Sequence, residues 1–130
     1  MKLDLTSLAK AIASLEAALT EYARIPNEFM RDACIQRFEY TYELAWKMLK
    51  RHLELSSANP GEIDEMSFQN LIRSGSEKSL LLHGWDVWKN YRQARGTTSH
   101  GYDELKAIEV FKQVPEFLIE AKFLLQKLQG

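Results

Sequence analysis

Residues Glu28 to Leu55 read EFMRDACIQRFEYTYELAWKMLKRHLEL, and this stretch decides the fold. Asp32, Gln36, Glu39, Glu43, Lys47, Lys50 and Glu54 recur at spacings of three and four, so they share one stripe of a helix. Met30, Cys34, Ile35, Phe38, Tyr42, Ala45, Trp46, Met48, Leu49 and Leu53 cover much of what remains. So wide an apolar surface suits a central helix touched from several sides at once, rather than one lying on a single neighbour.

Upstream, Leu5, Leu8, Ile12, Leu15, Leu19 and Tyr22 form one apolar face, so a first helix precedes. Pro26 ends it, and Asn27 supplies the side-chain oxygen that caps the next. Downstream, Ser56 to Gly61 has loop composition. A short helix around Phe68, Leu71 and Ile72 follows, capped by Ser67 and closing near Gly75. Leu81, Trp85, Trp88 and Arg92 mark a further helix ending near Arg95, after which Gly96-Thr97-Thr98-Ser99 breaks the pattern. Asp103 caps a last stretch holding Leu105, Ile108, Phe117, Ala121, Leu124 and Leu128, with a kink expected at Pro115. The expectation is an all-α, antiparallel up-and-down bundle of four to five helices, one domain over residues 1–130.

Composition narrows the function classes. A hydrophobic share of 45% and a charged share of 27% describe a globular chain. Nothing approaches the roughly 18 apolar residues of a membrane span, and the first residues lack the apolar block of a signal peptide. Cys34 is the only cysteine, so there is no internal disulfide. These features point to the cytoplasm and away from a membrane. The net charge of −1 means that any RNA contact comes from a local basic patch, or from two patches joined in a dimer.

Arg95 to Tyr102, RGTTSHGY, concentrates the reactive side chains. Arginine is a permanent bidentate phosphate ligand, and histidine gives or takes a proton near neutral pH. Arg95 and His100 together suffice for RNA cleavage without a metal or other cofactor. His100 would activate the ribose 2′-hydroxyl or protonate the leaving oxygen, while Arg95 would stabilise charge on phosphorus. The plain alternative is a turn in which both residues bond to backbone. Lys89 and Arg92 extend the basic stripe, with Trp85, Trp88 and Tyr91 read as core or dimer interface. Arg37 lies off the polar stripe beside Tyr40 and Leu44, and its charge is expected to meet a partner chain or an anion. Glu39 and Glu43, followed by Lys47, read as an ordinary solvated face. Cys34 reads as inert core, and His52 and His83 as surface or boundary residues. No metal constellation, phosphate-binding glycine loop or nucleophile triad is seen.

Arg95-x4-His100-x-Tyr102 resembles the R-x4-H-x-Y motif of the HEPN superfamily. RDACIQRFEYTYELAWK, residues 31–47, is similar to the central-helix signature of the nucleotidyltransferase substrate-binding protein family. The resemblance covers essentially the whole chain. It implies a homodimer partnered by a small nucleotidyltransferase encoded nearby. It also implies Arg95 and His100 as a ribonuclease pair of a toxin, and Tyr102 as the residue that the antitoxin nucleotidyltransferase adenylylates. Gly96 departs from the pattern, since active relatives commonly carry a polar residue, often Asn or Asp, directly after the arginine. Three functions follow as alternatives: a restrained ribonuclease, a non-catalytic subunit presenting nucleotide or another substrate to the nucleotidyltransferase, or a plain interaction bundle.

Overall fold

The computed structural model describes residues 3–98 and 103–130, and in them the chain forms seven helices and no strand. These are α1 (Thr6–Arg24), α2 (Glu28–Ser56), α3 (Pro60–Asp64), α4 (Phe68–Glu77), α5 (Trp85–Thr98), α6 (Glu104–Phe111) and α7 (Val114–Gln129). The four longer helices, α1, α2, α5 and α7, are the bundle expected from the periodicity; the short ones join and cap it. Every other helix touches α2, the central position its apolar width demands.

The helix starts are chemical. The Asn27 side chain accepts from the Met30 N–H, Ser67 from Asn70, and Asp103 from Leu105 and Lys106. Each satisfies amides that the first turn leaves unpaired. The linker after α2 is shorter than its composition suggests, because Pro60 begins α3 in the first turn, where its missing N–H costs nothing. Near the C-terminus the chain breaks at Lys112 and Gln113, and Pro115 sits in the first turn of α7 for the same reason.

Gly75 does not close α4. It is buried, and a Cβ there would meet Leu49 Cδ2 at 3.0 Å and Leu81 Cδ1 at 3.2 Å, so its bareness lets α4 approach α2. The helix instead runs to Glu77 and is closed at Ser79, at φ 61°, with Leu80 N–H bonded to the Gly75 carbonyl and Ser79 N–H to that of Ser76. That is a Schellman closure with serine in the left-handed position glycine usually takes. α5 likewise passes through Gly96 to Thr98, so the expected break at Gly96 is absent.

The core is aromatic where α2, α5 and α7 meet. Phe117 lies 5.2 Å from Phe38, 5.9 Å from Trp88 and 5.2 Å from Tyr91, ring centre to ring centre and edge to face. Burial of such a ring is worth about 1.5–3 kcal/mol, so this cluster fixes α5 in place. Trp88 is fully buried and Trp85 packs on Phe68, so of the two readings, core or dimer interface, Trp88 takes the core. The exposed apolar side chains are elsewhere, among them Phe29, Leu105 and Ile119. Among the described residues, no helix is long and apolar enough to cross a membrane.

Candidate functional site

The aromatic cluster holds α5 so that its next turn faces the polar stripe of α2. There Arg95 Nη1 lies 3.4 Å from Glu39 Oε2, and Arg95 Nε lies 3.6 Å from Glu43 Oε1. Glu39 and Glu43 are therefore not a merely solvated face. They are one turn apart and flank the guanidinium that the motif singles out, each side chain about a third exposed. The other Glu43 oxygen accepts the Trp46 indole N–H at 3.2 Å, with Lys47 Nζ at 3.9 Å.

Arg95 borders two hollows. The larger, about 560 Å³, is lined by Glu43, Trp46, Met66, Phe68, Arg92 and Gly96 among others. Arg92 places its guanidinium 5.0 Å from the Phe68 ring centre, and Phe68 meets Trp46 edge-on at 5.8 Å. Tyr42 forms part of the lining; burial, then the Glu43 charge, push its phenol well above the usual tyrosine range, against the opposing pull of Arg92 and Arg95. It is a neutral phenol at every physiological pH. The smaller hollow, about 360 Å³, lies between Glu39, Tyr40, Leu44 and Lys47.

The other residues singled out from the sequence are dispersed. Arg37 turns inward: its Nε donates to Ser14 Oγ at 3.1 Å and its Nη1 to the Ala33 carbonyl at 3.3 Å. Tyr40 also donates to Ser14, so this group ties α2 to α1. Lys89 is exposed on α5, and Tyr91 is buried in the core. Arg31 is buried and reaches Asp32 at 3.1 Å and Glu104 at 3.7 Å. Cys34 is fully buried, and its burial pushes the thiol up. His100 and Tyr102 lie outside the described residues.

His83 has a larger role than a boundary residue. Its ring Nδ1 is 3.0 Å from Glu120 Oε1, and the fully buried Glu120 carboxylate also accepts the Leu82 N–H at 2.7 Å and the His83 N–H at 3.1 Å. One side chain of α7 thus satisfies the backbone entering α5.

Two functional candidates were not legible as such. The Glu39–Glu43 pair gave a signal in its one-turn spacing, which the nearby Lys47 explained too readily. Phe68 gave none, since an aromatic at a helix start reads as core.

This geometry sits in a chain with clear relatives. A probable ribonuclease HepT from Haemophilus influenzae is 34% identical over 137 aligned residues, which cover 98% of this chain and 93% of that protein. A solved structure from Haemophilus influenzae, described as revealing the fold of a substrate-binding domain of a nucleotidyltransferase, matches with a TM-score of 0.90. It is 33% identical, over 98% of this chain and all of the other. A Thermus thermophilus protein of known structure matches with a TM-score of 0.76 at 29% identity, over 95% of this chain and 99% of that one. The family model for nucleotidyltransferase substrate binding protein-like chains matches residues 3–130, the span over which the bundle and the Arg95 site are built, and this chain belongs to that family.

Proposed function

We propose that this chain is the RNA-cleaving subunit of a two-component, cytoplasmic toxin–antitoxin pair with a small nucleotidyltransferase. The observation that carries the reading is Arg95, projected from α5 to the rim of an open hollow and held there by Glu39 and Glu43. His100 removes the proton from a ribose 2′-hydroxyl, whose oxygen attacks the adjacent phosphorus. Arg95 stabilises the charge that accumulates on the phosphoryl oxygens. The P–O5′ bond breaks, the leaving oxygen takes a proton, and the products are a 2′,3′-cyclic phosphate and a 5′-hydroxyl. The relative named a probable ribonuclease supports this assignment.

The nucleotidyltransferase restrains the cut. The Tyr102 oxygen attacks the α-phosphorus of ATP, pyrophosphate leaves, and the phenolic proton goes to solvent. The adenylate then occupies the anion site beside Arg95 and excludes RNA by charge and bulk. Two copies of the chain form the working unit. Exposed Phe29, Leu105 and Ile119 supply apolar surface for that contact, and pairing doubles the local positive charge that one chain lacks.

Purified protein decides the reading. Arg95→Ala and His100→Ala should each abolish cleavage of a single-stranded RNA with helicity unchanged, and cutting should persist in a chelator. Incubation with the neighbouring nucleotidyltransferase, ATP and magnesium should add one adenylate by intact mass, and Tyr102→Phe should prevent it. Cleavage surviving in His100→Ala would favour the second reading, a non-catalytic subunit that presents substrate to the nucleotidyltransferase. That alternative has its own support in the description of the Haemophilus influenzae structure.

A further inference from the structure

We infer that the larger hollow beside Arg95 is a nucleobase subsite, in which Trp46 and Phe68 take the base next to the phosphate that Arg95 binds. The inference rests on the ribonuclease reading for the phosphate and on different residues for the base. Its volume of about 560 Å³ falls within the range of small-ligand pockets, about 300–1,000 Å³. Its chemistry is divided. Trp46, Met66 and Phe68, each half-buried, bring apolar and aromatic surface to it. Arg92 and Arg95 bring positive charge, and Glu43 an acceptor.

This division matches a nucleotide. Aromatic surface stacks with any base, whichever base it is, because every base has a π face. The Glu43 carboxylate is suited to an exocyclic amino group, and it is already oriented by the Trp46 N–H at 3.2 Å. Arg92, 5.0 Å from the Phe68 ring centre, can flank a stacked base with a second planar, cationic surface. An apolar helix from a protein partner would desolvate Arg92, Glu43 and Lys50 without supplying partners for them, which disfavours it as the occupant. Arg95, Trp46 and Phe68 line the same hollow, so a base attached to a phosphate at Arg95 has this surface beside it.

The test uses the whole chain labelled with 5-fluorotryptophan, which reports three sites, Trp46, Trp85 and Trp88. The probe is a single-stranded 2′-O-methyl RNA octamer, which binds but cannot be cut. At saturation by fluorescence anisotropy, the Trp46 fluorine resonance should shift and that of fully buried Trp88 should stay in place. Inorganic phosphate alone should not move Trp46. Removing one base from the octamer should weaken binding about tenfold at one position along the strand, within the range measured for a lost stack. Trp46→Leu should weaken the intact octamer by the same factor and leave the abasic one within about twofold.

A Trp46 resonance unmoved by saturating octamer, or moved equally by phosphate, overturns the subsite, and so do additive losses from Trp46→Leu and the abasic position. A second copy seated over the hollow would appear as a Trp46 resonance without a solvent isotope shift, and this too overturns it. Cleavage with a silent Trp46 removes the subsite and leaves the ribonuclease reading standing. A responsive Trp46 without cleavage does the reverse. The labelled wild-type chain decides the matter even where Trp46→Leu fails to fold.

Discussion

Arg95 on α5 and Glu43 on α2 form a loose ion pair, Nε to Oε1 at 3.6 Å, whose acid is also the hydrogen-bond acceptor of Trp46. A charge-assisted bond in its best geometry is shorter, about 2.7–2.9 Å. With Glu39 at 3.4 Å, two carboxylates thus stand around the guanidinium proposed to bind the RNA phosphate. Each also repels an incoming phosphate. At about 6 Å that repulsion is on the order of 0.7 kcal/mol in water and up to about 3 kcal/mol in a partly shielded site. The anchoring lost with a partly exposed pair is about 0–1 kcal/mol, so repulsion wins. Glu39→Gln and Glu43→Gln should therefore each tighten binding of an uncleavable RNA at low salt, on the order of threefold to tenfold. The gain should shrink as salt is raised. Weaker binding in both, at every salt concentration, would show that their positioning of Arg95 outweighs their repulsion of phosphate.

Gly96 stands inside α5, and a Cβ built there meets no heavy atom of the described residues within 4 Å. The position is helical and needs no glycine conformation, so the bare residue costs helix stability relative to alanine. Gly96→Ala should stabilise the protein by about 0.5–1 kcal/mol. Calorimetry should show Tm rising by about 2–5 °C. Gly96→Asn restores the polar group of the motif on the rim of the hollow, and the RNA cleavage rate should rise. An unchanged rate would mean that this helix position does not reach substrate.

The features legible in the sequence are those whose cause is local. Asn27, Ser67 and Asp103 were readable as caps because the amides they satisfy lie two or three residues on. The breadth of α2's apolar face was enough to make it central. Gly75 and Gly96 were misread for opposite reasons. One is bare to admit Leu49 and Leu81, and the other tolerates its helix without being required by it. Neither reason is written near the glycine. Arg95 stood out within a short motif, but its partners Glu39 and Glu43 lie far upstream. They look like any surface stripe until α5 is laid across them. The Phe68 wall needed the whole bundle.

Glu120 shows the same non-local dependence, and its loss should be severe. It is fully buried and accepts the Leu82 and His83 amides at 2.7 and 3.1 Å, beside the His83 ring. Glu120→Ala leaves those amides without their carboxylate and opens a void, at a combined cost of about 3–5 kcal/mol. His83→Ala removes a half-exposed ring and should cost about 1 kcal/mol or less. Urea unfolding of the variants should give that order. Equal, small losses in both would mean that water replaces the carboxylate.

The alkaline limit of the protein should be set by Tyr42 and Tyr91. Burial raises both phenols far above their ordinary value, with Glu43 adding to the rise at Tyr42 and Glu120 and Glu116 at Tyr91. The folded state therefore keeps protons that the unfolded chain releases near pH 10. Stability from these groups is fully present below about pH 10 and falls as pH rises, because deprotonation then favours unfolding. Each such group contributes a slope of about 1.4 kcal/mol per pH unit, and the two together about 2.7. While circular dichroism stays native, tyrosinate absorbance at 295 nm should account for no more than three of the five tyrosines. The remaining absorbance should arrive together with unfolding. Tyr91→Phe should roughly halve the slope of stability against pH above 10, provided the variant keeps native helicity at neutral pH. All five tyrosines ionising near pH 10 in a fully helical protein would contradict this account of the core.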